Sequence, residues 1–162
     1  MRVVFHHALT SRDPSTQNAA VLIRPGTFHY EIIRPTLAVN EFPRRIVQHP
    51  ARWERPDKYQ FVEHAERNTI YAAAREGIST RGLTMVAVWA SCADCARAII
   101  QAGITTLVRY AHTESHWDGS TNIADIMLAE AGIRVVTITK EFKDVLPLLW
   151  HEKPWLPDGS QS

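Results

Sequence analysis

From residue 83 onward, β-rich apolar runs alternate with helical segments of about ten residues, and no other feature constrains the fold as much. The β-rich runs are residues 83–89, 104–110 and 133–139, and the helical segments are 92–101, 122–131 and 141–150. A strand followed by a helix and another strand requires parallel pairing, with the helices packed on the sheet faces. The runs MVAVW at 85–89 and RVVTI at 134–138 are almost wholly apolar, as suits strands buried on both sides. Upstream, HAERNTIYAAARE at 64–76 predicts a helix stopped by Gly77, and residues 19–24 and 28–33 flank Pro25-Gly26 as the arms of a hairpin. Between these lies a stretch, 34–57, that holds four of the nine prolines and reads as a long irregular loop of the kind that carries function. The polar residues 154–162 read as a tail, leaving 1–153 as a single α/β domain.

Charge and cysteine usage narrow the partners. With 18 Lys and Arg against 17 Asp and Glu, the net charge is +1, so a polymeric nucleic acid is a poor candidate partner, whereas a small phosphorylated molecule is compatible. No stretch is long enough to span a membrane, and the first ten residues, broken by His6 and His7, do not read as a signal peptide. Two cysteines three positions apart make no disulfide framework, which points to reducing cytoplasm.

The chemistry concentrates at two predicted helix starts, His64-Ala65-Glu66 and Cys92-Ala93-Asp94-Cys95. Two thiolates in one helical turn and a histidine from a neighbouring helix give three ligands for a Zn2+ ion and leave one tetrahedral position open. That arrangement belongs to catalytic zinc, which lowers the pKa of its water to about 7. Glu66, two positions after the histidine, is placed for general acid/base work. A redox CxxC pair would leave the HxE segment without a role, and a structural zinc site normally shows a fourth ligand nearby, for which His49, His112 and His116 are available.

These motifs resemble those of the zinc deaminases of nucleobases, nucleosides and nucleotides, whose signature is HxE followed by PCxxC; here it reads HAE at 64–66 and SCADC at 91–95. The similarity is strongest to the deoxycytidylate (dCMP) deaminases of bacteria and phages. It includes SRDPS at 11–15, AVNEFPRR at 38–45, RWERPDKYQFVEHAERNTIYAAAREG at 52–77, CARAIIQAGI at 95–104 and MLAEAGIRV at 127–135. The resemblance implies a cytidine-deaminase-like three-layer α/β/α sandwich around a mixed five-stranded sheet. It also implies zinc on His64, Cys92 and Cys95, proton transfer by Glu66, and hydrolysis of dCMP to dUMP and ammonia.

By the same resemblance Asn40 contacts the sugar or phosphate, and Ala65, Ser91, His116 and Trp117 lie against the substrate. Ser11, Arg12, Arg44 and Arg45 are candidates for the phosphate, a role that suits the arginine fork. Family members associate as dimers or hexamers, so a homo-oligomer is expected. Three departures stand out. Ser91 replaces the usual proline and reads as a helix cap. The glycines of the GYNG loop in regulated relatives are absent from Ala38-Val-Asn-Glu41, where bulky Val39 and charged Glu41 would disfavour a triphosphate regulator. Only a stub of the family's first helix precedes SRDPS. The alternatives are a 5-modified dCMP, cytidine, deoxycytidine or another nucleobase as substrate, or a zinc scaffold without activity, for which Glu66 would be idle.

Overall fold

A computed structural model describes residues 1–26, 29–111 and 118–157, with Asp118 as backbone only. Helix α1 (Arg2–Ala8) leads to strand β1 (Ala19–Pro25), which turns back into β2 (Tyr30–Ile32). Two residues of β3 (Ala38–Val39) also pair with β1, and the proline-rich stretch continues irregularly, with one 3-10 turn at Pro50–Trp53, to the short helix α2 (Lys58–Phe61). Then come α3 (Ala65–Arg75), β4 (Thr84–Ala87), α4 (Ala93–Gln101), β5 (Thr106–Tyr110), α5 (Asp118–Glu130) and β6 (Arg134–Ile138).

The strand order is β2, β1, β4, β5, β6. The β1–β4 pair is antiparallel, whereas β4, β5 and β6 run parallel, as the strand–helix alternation requires. The main path has the five strands that the family resemblance implies, and β3 is a sixth, attached to β1. All four residues of β4 are buried because layers cover both faces.

Alternation along β1 divides the core in two. Ala20 and Leu22 join Met85, Ala87 and Leu107 against Ala73 of α3, Ile99 of α4 and Leu128 of α5. Val21 and Ile23 face the other way, with Val86 and Val88, onto Phe5 of α1. Gly103, just past the end of helix α4, has a φ of +69° that glycine adopts without strain; the amide of Ile104 then donates to the Ile99 carbonyl and closes the helix.

The C-terminal region departs from the sequence expectation. Residues 141–150 do not form a helix, because Pro147 lacks an N–H and its ring would clash with the preceding turn. Instead β7 (Leu148–Trp150) and β8 (Lys153–Trp155) form an antiparallel hairpin, whose two turn residues, His151 and Glu152, have φ of +49° and +69°. Pro154 and Trp155 therefore belong to the fold and not to a tail. Trp155 is buried against Phe5, Trp89 and Tyr110, with ring centroids at 6.2, 4.7 and 5.5 Å. One outer layer is thus three helices, and the other is α1 with this hairpin. Helix α5 begins four residues before the expected 122, where Gly119 and Ser120 give no apolar periodicity to read. No helix among the described residues is long and apolar enough to cross a membrane.

Candidate metal and catalytic site

His64 and Cys92 occupy the N-cap positions of α3 and α4, with extended backbone (ψ of 152° and 170°), and Cys95 lies one turn into α4. The contacts between α3 and α4 bring these starts together, so three ligand atoms from two separate segments converge. His64 Nδ1 is 3.5 Å from Cys92 Sγ and 3.6 Å from Cys95 Sγ, and all three atoms lie within 4.8 Å of one another. A tetrahedral zinc with Zn–N near 2.0 Å and Zn–S near 2.3 Å sets its nitrogen and sulfur ligands about 3.5 Å apart. The donor set and its spacing therefore fit the ion.

The cluster shares its protons unevenly. A hydrogen bond from Cys95, resisted by burial and helped by His64, lowers the Cys92 thiol to about 4, while Cys95 is raised well above the usual thiol range by that same bond and by burial. Burial acts to lower His64, but its bond with Cys92 and the charge of Glu66 outweigh it and the imidazole is raised.

Glu66 is 1% exposed, and burial raises its carboxyl above the ordinary range against the opposing charge of His64. Two side chains donate to it: Ser91 Oγ to Oε1 at 3.1 Å and Asn18 Nδ2 to Oε2 at 3.3 Å. Ser91 is thus not a helix cap. Cys92 holds the N-cap position of α4, without a capping side chain, and the buried Ser91 hydroxyl is spent on Glu66. Asn18 carries no motif that a single sequence could reveal; only the fold brings it to Glu66.

Asn40 organises the approach to α3. Its Oδ1 accepts from the Ala65 amide at 2.9 Å and its Nδ2 donates to the Thr16 carbonyl at 3.0 Å. Ser11 Oγ in turn donates to the Asn40 carbonyl at 2.9 Å, so Ser11 lies beneath Asn40, and Ala65 is fully buried.

A cavity of about 450 Å³ opens over this cluster, reaching His64, Glu66, Cys92 and Asn40. Its walls include Arg55, Lys58, Arg67, Arg109, Trp89 and Trp150. Neither Arg12, which donates to Gln48, nor Arg44 or Arg45 lines it, and all three are exposed. The basic wall residues come instead from around α2, from α3 and from β5. Lys58 is tied to Asp13 and Ser15, Arg67 to Glu63, and Arg109 to Asp125 by two bonds of 2.6 and 2.9 Å. Arg55 makes no ion pair among the described residues, and it stands at the end of the loop that the prolines mark. His116 and Trp117 lie outside the described residues.

Residues 46–146 match the MafB19-like deaminase family. A deoxycytidylate deaminase of phage T4 is 42% identical over 88 residues, which are 54% of this chain and 42% of that one, so the match spans less than half of the phage protein. An uncharacterized deaminase of Aliivibrio fischeri is 32% identical over 128 residues, covering 77% of this chain and 81% of its own. Among solved structures, the dCMP deaminase of cyanophage S-TIM5, in complex with dCMP and dUMP, superposes with a TM-score of 0.66 at 19% identity over 85% of this chain and 92% of that one. That superposition establishes the α/β cytidine-deaminase-like fold. Together with the His64, Glu66, Cys92 and Cys95 pattern, these matches show that the chain belongs to the MafB19-like deaminases, within the cytidine and deoxycytidylate deaminase family.

Proposed function

We propose that the protein is a zinc-dependent hydrolase that converts dCMP to dUMP and ammonia. The observation that carries this reading is a buried carboxylate, Glu66, two residues from a metal-ligand histidine and facing the same cavity as His64 and Cys92. The names of the phage relatives support the choice of a deoxycytidylate.

His64, Cys92 and Cys95 would hold the ion, which supplies Lewis acidity and makes water nucleophilic near neutral pH. Glu66 would take a proton from the attacking water as its oxygen bonds to C4, and deliver that proton to N3 of the cytosine ring, so that negative charge does not build up on the base as its aromaticity is broken. A second transfer through Glu66 protonates the 4-amino group, the C4–N bond breaks, and ammonia leaves as the C4 carbonyl forms. Asn40 holds the loop against the Ala65 amide at the start of α3 and so sets where that cavity wall stands. For the phosphate, the arginines of AVNEFPRR, which do not line the cavity, are a weaker choice than Arg55, which is exposed as they are but lines the cavity without an ion pair among the described residues.

The test is ammonia release by zinc-loaded protein with dCMP, 5-substituted dCMP, CMP, deoxycytidine and dCTP. The reading expects the highest kcat/KM with dCMP. Release from none of the five would overturn it.

A further inference from the structure

Neither oxygen of Glu66 is left to the ion and the substrate alone. Oε1 receives the Ser91 hydroxyl and Oε2 the Asn18 amide, at 3.1 and 3.3 Å, from segments on opposite sides of α3 in the sequence. A carboxylate with one donor on each oxygen cannot turn about its last torsion without breaking both bonds.

Asn18 is an expensive way to hold it. The side chain is 5% exposed, and its Oδ1 is buried with no hydrogen-bond partner among the described residues. A buried acceptor without a partner is destabilising, so this position on the cavity wall holds an amide in spite of its unpaired oxygen. The amide can face only one way here, since a carboxylate accepts and does not donate.

The residue before it fixes its place. Gln17 receives the Trp89 indole N–H on its carbonyl at 2.7 Å and is bonded to Leu149 of the hairpin in both directions, N–H to the Leu149 carbonyl at 2.9 Å and Oε1 from the Leu149 amide at 3.0 Å. The Asn18 carbonyl accepts from the Asn40 amide at 3.3 Å. The backbone that carries the Asn18 side chain is thus held by the hairpin on one side and by Asn40 on the other.

We propose that Asn18 and Ser91 are positioning residues, a two-donor clamp that holds the Glu66 carboxylate in the one orientation from which it transfers protons. The proposal rests on Glu66 as the proton carrier of the deaminase reading. Removal of the Asn18 side chain takes away an unpaired buried oxygen but also a bond to a buried carboxylate, so activity and stability are measured side by side.

Three measurements on the zinc-loaded full chain test it: kcat and KM for dCMP, thermal midpoint, and the crystal structure of each variant. Asn18→Leu should lower kcat roughly 10- to 100-fold, the loss of one bond to a charged group, with KM changed less than about threefold. Its thermal midpoint should move by only a few degrees, about 2–4 °C per kcal/mol for a chain of this size, because loss of the unpaired oxygen offsets loss of the bond to Glu66. Ser91→Ala should show the same split between kcat and KM, and Asn18→Ala serves if leucine overfills the site. An unchanged kcat, or a kcat that falls only in step with the thermal midpoint, overturns the clamp. If the wild type releases no ammonia from any cytosine nucleotide, the functional reading falls and the crystal structures decide the clamp. A rotated or split Glu66 carboxylate in Asn18→Leu supports it, and an unmoved one removes it.

Discussion

Lys58 Nζ donates to Asp13 Oδ1 at 2.7 Å across 45 positions of sequence, with the two side chains 10% and 1% exposed. The same oxygen accepts the amides of Ser15 and Thr16, at 2.9 and 3.0 Å. The pair therefore joins the end of the proline-rich loop to the turn that leads into β1, and both lie on the cavity wall. Removing one partner strands a charge in the interior. Lys58→Met should cost about 3–5 kcal/mol in chemical denaturation, and adding Asp13→Asn should recover part of that loss, since a neutral amide is cheaper to bury. Single and double variants of equal stability would show that the pair carries no net weight.

Glu66→Gln keeps the shape of the side chain and removes its ability to carry a proton. Ammonia release from dCMP should fall about 10²- to 10⁴-fold, while metal analysis still finds one zinc per chain. Activity at the wild-type level in that variant would remove Glu66 from the mechanism.

Arg55, on the cavity wall, and the pair Arg44 and Arg45, off it, make opposite predictions for phosphate recognition. Arg55→Ala should raise KM for dCMP by roughly 10-fold or more, the loss of a bond to a charged group, with deoxycytidine little affected. The Arg44→Ala, Arg45→Ala double variant should leave the ratio of dCMP to deoxycytidine activity where it was. The reverse pattern would return the phosphate to the AVNEFPRR loop.

Zinc that binds the folded chain in preference to the unfolded one stabilises it by mass action, by about 4 kcal/mol at a thousandfold excess of free ion over Kd. Chelation should therefore lower the thermal midpoint by roughly 8–16 °C, at 2–4 °C per kcal/mol for a chain of this size, and added Zn2+ should restore it. Cys92→Ser should abolish the response. A midpoint indifferent to chelator would exclude a bound ion as a source of stability.

Trp155 fills the space between α1, Trp89 and Tyr110. Trp155→Ala should destabilise by about 3–5 kcal/mol, read as a shift in denaturant midpoint with little change in slope. A surface-tail role for this residue would predict a change within about 0.5 kcal/mol.

The parts of this molecule that were legible in the sequence are those whose information is local. The candidate metal ligands His64, Cys92 and Cys95, whose side chains converge, fall at helix starts three residues apart or two residues from Glu66, and α3 and α4 lie within a residue or two of the spans that their apolar spacing and terminal glycines predict. The parallel order of β4, β5 and β6 follows from the same alternation. The remaining features depend on distant partners. Residues 141–150 have helical apolar spacing but contain Pro147, and the burial of Trp155 on Phe5 makes a hairpin the better solution. Proximity to Asn40 along the chain makes Arg44 and Arg45 attractive for the phosphate, yet the loop turns them outward and brings Arg55 and Lys58 to the cavity. Asn18 and Glu66 are 48 positions apart, and nothing short of the folded sheet relates them.

The hairpin of β7 and β8 sets an order of assembly. Leu149 is synthesised 132 positions after Gln17, with which it exchanges hydrogen bonds, and the Glu152 amide donates to Ser15. On the ribosome, a nascent chain that has emerged as far as residue 146 already holds His64, Glu66 and both cysteines. The segment from Ser15 to Asn18 still lacks the strand that seats it. Loop closure over such a distance is slow relative to helix formation, so this wall of the cavity closes after the helices that carry His64 and both cysteines have formed.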